Sequence, residues 1–201
     1  MSELAILQAT RLKRRLSPEL AATSTGLDDA TLATLLDSLR ESELVKGETA
    51  VRLTPEGRER LNQLLATERG TVDQAALRAL YEEFDNHNTA LKTVVKDWQL
   101  RDDEPNDHSD ATYDRTVLDR LVQLDDGFEP LVARIAEVAP RLSIYSRRFA
   151  TAIAKIGAGD NTYVASPVAD SYHTVWFEFH EELIGLLGLT REEEAAAGRA
   201  V

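Results

Sequence analysis

The chain has 201 residues, 43% of them apolar, which is enough for one large domain or two small ones with a buried core. With 23 basic against 35 acidic side chains the formal net charge is −12, a balance that argues against a protein binding polyanions over its whole surface. Cysteine is absent, which excludes disulfide scaffolds, thiol catalysis and cysteine-ligated metals. No apolar run approaches the roughly 20 residues that span a bilayer, and the stretch MSELAILQATRLKRR meets charge at its third residue, without a cleavable apolar segment. The expectation is a soluble, cytoplasmic protein with no membrane partner.

The first 70 residues differ in chemistry from the rest. Residues 1–70 carry 10 basic and 11 acidic side chains, whereas residues 71–201 carry 13 and 24. All 12 aromatic residues and all four histidines lie after residue 70. Two domains are therefore expected, 1–70 and 71–201. The second holds the side chains that line small-molecule pockets.

In the first domain the spacing predicts a helix from about Glu3 to Leu16. Ser17-Pro18-Glu19 is a helix start, and a short helix to about Thr23 ends before Gly26, which can take a positive φ. Asp28 or Asp29 opens a third helix, with Leu32, Leu35, Leu36 and Leu39 on one face. Leu44 to Leu53 reads as a hairpin turning at Gly47, and Thr54-Pro55 opens a fourth helix to about Thr67.

This order resembles a winged helix-turn-helix, and Ala22, Gly26 and Leu32 match the small, glycine and apolar positions of the helix-turn-helix unit. Leu53-Thr54-Pro55-Glu56-Gly57-Arg58 resembles the "LTPEGR" end of the wing in MarR-like regulators. The fold class implied is mainly α, with three to four helices and a short β-hairpin followed by an all-helical domain.

The resemblance implies DNA binding through the third helix. Its outward face carries Ala30, Ala33, Thr34, Asp37 and Glu41, flanked by Thr31 and Ser38, and none of these is a side chain that reads base edges best. Thr31, Ala33 and Thr34 are the candidates on that helix, the last two for contact with thymine methyls. Cations that suit a phosphate backbone lie elsewhere: Arg11, Lys13, Arg14 and Arg15 on the first helix, Lys46 and Arg52 on the hairpin, and Arg58 and Arg60 on the fourth helix. The alternative is a solvated charged face on a fold used for protein contacts.

In the second domain a helix is expected from about Asp73 to Gln99, with Leu77, Leu80, Tyr81, Phe84, Leu91, Val94, Val95 and Trp98 on its apolar stripe. The stripe turns polar at His87-Asn88, so one of these two lies on the seam, as a satisfied core group or as part of a pocket. Residues 101–110 read as a polar loop without the spacing of an EF-hand. Helices follow at about Thr112–Asp126, Glu129–Val138 and Pro140–Ile156, broken by Gly127 and Pro140. Arg147 and Arg148 lie in the last of these, suited either to an internal acid or to an anionic ligand. Gly157-Ala158-Gly159-Asp160-Asn161 is not a phosphate loop, because it lacks the Lys-Ser/Thr ending.

Ser171 to Leu187 is apolar around most of its girth, which marks a central helix. Thr174, Glu178, Glu181 and Glu182 form its polar side, and His173 and His180 are expected to be semi-buried. The two histidines stand about 10.5 Å apart along a helix axis, too far to share one ion. Asp170 with His173, or His180 with His87, remains a possible metal pair. The Asp-x-x-x-His step of GntR-type sensor domains is not matched, since Trp176 stands four residues before His180. No metal or cofactor is assigned.

Val94 to Arg101, Asn106 to Asp110 and Asp170 to Glu181 together resemble a poorly characterised bacterial family in which a MarR-like winged helix precedes a helical domain. That resemblance implies a transcriptional regulator, with a link to phosphoenolpyruvate-utilising enzymes in some members. The expectation is a homodimer that binds DNA and responds to a small-molecule effector. His87, Asn88, Trp98, Arg147, Tyr172, His173, Trp176 and His180 are its candidate pocket residues. The alternative is a protein-interaction or accessory module, linked to such an enzyme. No nucleophile motif or cofactor fingerprint marks an enzyme, and no catalytic residue is assigned.

Overall fold

The computed structural model describes residues 2–190 and residue 194. It is 74% helical, with nine α-helices among the described residues. The chain divides into two compact units, with the boundary between Val72 and Asp73.

In the first unit α1 spans Ser2–Lys13, α2 Pro18–Thr25, α3 Asp29–Glu41 and α4 Pro55–Arg69. Strands β1 (Val45–Lys46) and β2 (Arg52–Leu53) pair antiparallel. α1 ends three residues before the Leu16 expected from sequence. Arg14 adopts φ +62, and Leu16 instead pairs with Val51, each backbone N–H bonding the other's carbonyl at 2.9 Å. Side-chain caps start the next three helices: Ser17 accepts from Leu20 N–H, Asp28 from Thr31 N–H and Thr54 from Gly57 N–H. Gly26, at φ +73, closes α2 in the left-handed region. Leu7, Ile6, Leu16, Leu32, Leu36, Leu39, Val51 and Leu61 form an aliphatic core.

The Thr54-Pro55-Glu56-Gly57 segment has a physical basis. Thr54 Oγ1 lies 2.7 Å from the Glu43 carbonyl and 3.1 Å from that of Leu44, and it caps the Gly57 N–H at 2.9 Å. α4 therefore begins pressed against Leu44, and a Cβ at Gly57 would lie 1.9 Å from the Leu44 carbonyl oxygen. Gly57→Ala is expected to cost about 3 kcal/mol, the top of the overpacking range. A denaturant titration of the variant checks this; a loss below about 0.5 kcal/mol would mean that α4 is free to shift.

In the second unit α5 spans Gln74–Gln99, α6 Ala111–Val138, α7 Ile144–Gly157, α8 Thr162–Ala165 and α9 Tyr172–Leu187, and a 3₁₀ turn at Pro140–Ser143 precedes α7. α5, α6, α7 and α9 enclose an aromatic core. Trp176 on α9 is fully buried, 4.2 Å from Phe128 on α6 and 5.1 Å from Phe84 on α5, measured between ring centroids. Phe149, Phe179 and Tyr172 complete the cluster.

Two expectations are corrected here. α6 is one continuous helix, with Pro130 inside it rather than a break at Gly127. Gly127 and Pro130 are both exposed, while Leu121, Leu124, Phe128, Leu131, Val132 and Ile135 keep one buried face along the whole length. Packing on that face outweighs the local cost of proline. Second, the unit is not all helical. Leu100–Arg101 (β3) pairs antiparallel with Glu104–Pro105 (β4) where a loop was expected. The turn residues Asp102 and Asp103 adopt φ +52 and +61, the pair of left-handed residues that a tight hairpin needs and that aspartate tolerates.

Candidate functional site

The β1–β2 hairpin brings cations together. Val45, Val51, Leu53 and Leu16 face the core, so the alternation of strands puts Lys46, Arg52 and Arg15 on the solvent side. Lys46 stands opposite Arg52 in the ladder. The pairing of Leu16 with Val51 leaves Arg15 in register beside Arg52. Three cations thus follow one another across the ribbon, although like charges directly opposite each other destabilise a strand pair.

Leu32, Leu36 and Leu39 of α3 are buried, and Ala30, Ala33, Thr34, Asp37, Ser38 and Glu41 are exposed. Its threonine hydroxyls are committed internally: Thr31 Oγ1 donates to Asp28 Oδ2 at 2.8 Å and Thr34 Oγ1 to the Ala30 carbonyl at 3.0 Å. Arg40 ties α3 to the hairpin turn, donating to the carbonyls of Gly47 (3.1 Å) and Glu48 (3.2 Å) and to Asp37 (2.9 Å). One of the two acids on this face therefore has its own counter-ion. Arg14 and Arg58 are exposed, Lys13 is half-buried, and Arg11 donates to Gln8 at 3.0 Å. Arg60 is engaged by Glu3 at 2.9 Å through both carboxylate oxygens.

Of the eight candidate pocket residues of the helical unit, His173 and Trp98 line separate cavities among those described. Asn88, not His87, lies on the seam of α5 and accepts from Trp176 Nε1 at 3.0 Å. Tyr172 is buried and donates to Asp125 at 2.9 Å. His180 is buried, 2.8 Å from the Tyr81 hydroxyl, which also bonds Glu194. Arg147 is exposed. Half-buried His87 packs 5.4 Å from the Phe128 ring, measured between centroids.

The polar side expected for α9 is corrected as well. Glu178 and Glu182 are each only 3% exposed, because arginines on facing segments reach them. Arg148 Nη2 bonds Glu178 and Asp170, both at 2.6 Å, and its Nε bonds Asp170 at 3.0 Å. Arg141 grips Glu182 with two bonds of 2.8 Å. Burial works against the Arg148 charge, but Asp170, Tyr145 and Glu178 together raise its pKa. Asp170 is thus held by Arg148, not by His173. Among the described residues, no group of three or more His, Cys, Asp or Glu can hold a metal ion.

Among the described residues, several cavities open in this unit. One of about 250 Å³ is lined by Leu91, Lys92, Val95, Lys96, Leu100 and His173. A second, of about 320 Å³, lies between α6 and α7 beside Asp125, whose pKa burial raises. A third, of about 540 Å³, has Trp98 and His108 on its wall. His108 and Asp114 were not singled out from sequence. The available signal was Asn106, His108 and Asp114 close after Trp98 and Gln99, where turn-forming side chains bond locally.

His173 has no hydrogen-bond partner among the described residues, and burial lowers its pKa from 6.5. Burial also lowers that of His87, with Glu83 opposing. For a base with a lowered folded pKa, the stabilising contribution is present above the unfolded value and lost as pH falls through the folded one. The thermal midpoint should therefore drop as pH falls from 7 through the region below 6.5, and less in His173→Gln. Equal drops in the two proteins would place the dependence elsewhere.

No family model matches the chain, and neither a curated protein nor a solved structure matches it. Among the described residues, no helix is long and apolar enough to cross a membrane.

Proposed function

We propose that the chain is a DNA-binding regulator whose first unit is a winged helix-turn-helix of the MarR-like kind and whose helical unit receives an effector. The observation that carries the reading is the row Arg15, Arg52 and Lys46 across the solvent face of the ribbon. Like charges placed side by side on a small sheet make sense when an anion lies against them. A phosphate backbone supplies charges at suitable spacing. Helix, short helix, Gly26 turn, helix and hairpin follow in the order such a domain requires.

In this reading the hairpin and the neighbouring Arg15 position the duplex. α3 adds only the methyl groups of Ala33 and Thr34, so affinity exceeds sequence discrimination. A homodimer presenting two such units would bind a two-fold site. Fluorescence polarisation with the duplex upstream of the coding sequence, at low salt, tests it: saturable binding is expected, and none at micromolar protein overturns it.

One observation favours a second reading. Asp28, Asp29, Asp37 and Glu41 are all exposed on or beside α3, a surface suited to a basic protein partner. Co-purification of a partner from native cells, together with absent DNA binding, would establish that accessory role in place of the first.

A further inference from the structure

Where α5 ends, three segments converge on an arrangement that DNA binding leaves unused. Asp114, in the first turn of α6, is 7% exposed. Asn106 Nδ2 donates to Asp114 Oδ1 at 3.0 Å and to the Trp98 carbonyl at 3.1 Å. Those shorter bonds use both amide hydrogens, so Asn106 Nδ2, although 3.2 Å from His108 Nδ1, has none left to give it. The Asn106 orientation is fixed by its Oδ1, which accepts from the His108 backbone N–H at 3.2 Å. His108 Nδ1, 3.0 Å from Asp114 Oδ2, therefore carries its own hydrogen and donates it to the carboxylate. The imidazole is held as the Nδ1–H tautomer, which leaves the Nε2 lone pair for an outside donor.

The ring is placed as firmly as its proton. It lies 4.3 Å from the Trp98 ring, centroid to centroid. Its backbone sits at φ +58, a region that ordinary residues avoid. Neither His108 Nε2 nor Trp98 Nε1 has a partner among the described residues.

Both residues line the cavity of about 540 Å³, which Gln99, Asn161, Thr162 and Ser166 also border. That volume lies within the usual range for small ligands, about 300–1,000 Å³. Among the described residues no Lys, Arg, Asp or Glu lines it, so none of them would neutralise a phosphate or carboxylate there. The lining is instead rich in neutral hydrogen-bonding groups. Thr162 Oγ1 gives its hydrogen to Asp160 Oδ1 at 2.5 Å, so towards a ligand it is an acceptor, as is His108 Nε2. Such a wall suits a molecule with several hydroxyl donors.

We infer that this cavity binds a neutral polyhydroxylated small molecule, a free sugar or polyol, with one hydroxyl donating to His108 Nε2 and the carbon skeleton beside Trp98. As an effector site it rests on the proposed regulator; as a binding site it does not. The test contains no DNA, so its failure and the failure of DNA binding are read separately. The ¹⁵N-labelled full chain is titrated with D-glucose, D-ribose and glycerol, and with glucose 6-phosphate as the charged control. The chain has two tryptophans, and Trp176 is fully buried in the core, so its indole signal reports on integrity.

At least one neutral probe should shift the Trp98 indole saturably in the millimolar range and leave Trp176 unmoved. Glucose 6-phosphate should bind at least tenfold more weakly than glucose. His108→Phe, which keeps a ring against Trp98 but removes Nε2, should weaken binding at least tenfold, and Asp114→Asn should weaken it in the same direction. Unaltered Trp176 signals in both variants confirm their fold. No saturable shift with any neutral probe overturns the inference. So does binding that survives His108→Phe, or a phosphate ester that binds as well as the free sugar.

Discussion

Arg148→Met is expected to destabilise the helical unit by about 3–5 kcal/mol, the cost of removing one partner from a buried ionic cluster. The Arg148 side chain is 2% exposed and the Glu178 side chain 4%, so solvent screens little of the interaction. Its guanidinium also lies 4.9 Å from the Tyr145 ring centroid. Methionine fills much of the volume but leaves the Asp170 and Glu178 carboxylates without their cation. Arg148→Lys should fall between the two, because an ammonium cannot make the paired bonds to Asp170. Adding Asp170→Asn and Glu178→Gln to Arg148→Met should recover part of the loss, since no buried charge is then stranded. Chemical denaturation followed by far-UV circular dichroism measures all of these. A loss below about 1 kcal/mol, the range of surface pairs, would contradict a buried cluster.

Removal of the hairpin cations should have the largest effect on binding. With Arg15, Lys46 and Arg52 all replaced by alanine, the slope of log K against log salt should shrink by about 2.7, that is about 0.9 for each phosphate left without its cation. At about 50 mM salt this corresponds to roughly a 3,000-fold loss of affinity, similar for every duplex sequence. Stability should not fall with it, because Lys46 and Arg52 stand opposite each other as like charges. The reverse change on α3, Glu41→Gln, should tighten binding modestly. Asp37→Asn should do less, since Arg40 already neutralises Asp37 at 2.9 Å.

Much of the first unit was legible because its signals are local. Ser17, Asp28 and Thr54 each cap the helix they precede, and Gly26 ends the one before it. The leucine spacing of α3 identified its buried face. The end of α1 was misplaced because Leu16 is held by Val51, a partner 35 residues away that no helical periodicity announces.

In the second unit the aromatic stripes of α5 and α9 were legible for the same reason. Glu178 and Glu182 were not, because a charged residue reads as solvent-facing until its partner is known. Arg148 and Arg141 reach them from 30 and 41 residues away. α6 read as two helices because Gly127 and Pro130 are local breakers, whereas its continuity is set by packing. Trp98 was a candidate from sequence, but the histidine that stacks on it was not. His108 is positioned by an Asn106 side chain and an Asp114 carboxylate from two different segments.

In the proposed function the first unit grips nucleic acid through the row Arg15, Arg52 and Lys46. The most direct measurement is a fluorescence polarisation titration of the unsubstituted full-length chain on the upstream duplex at several salt concentrations. Binding is expected at low salt and should weaken linearly in log K against log salt, with a slope at least as steep as about −2.7 for three neutralised phosphates. Absence of binding at low salt, or binding indifferent to salt, would contradict it.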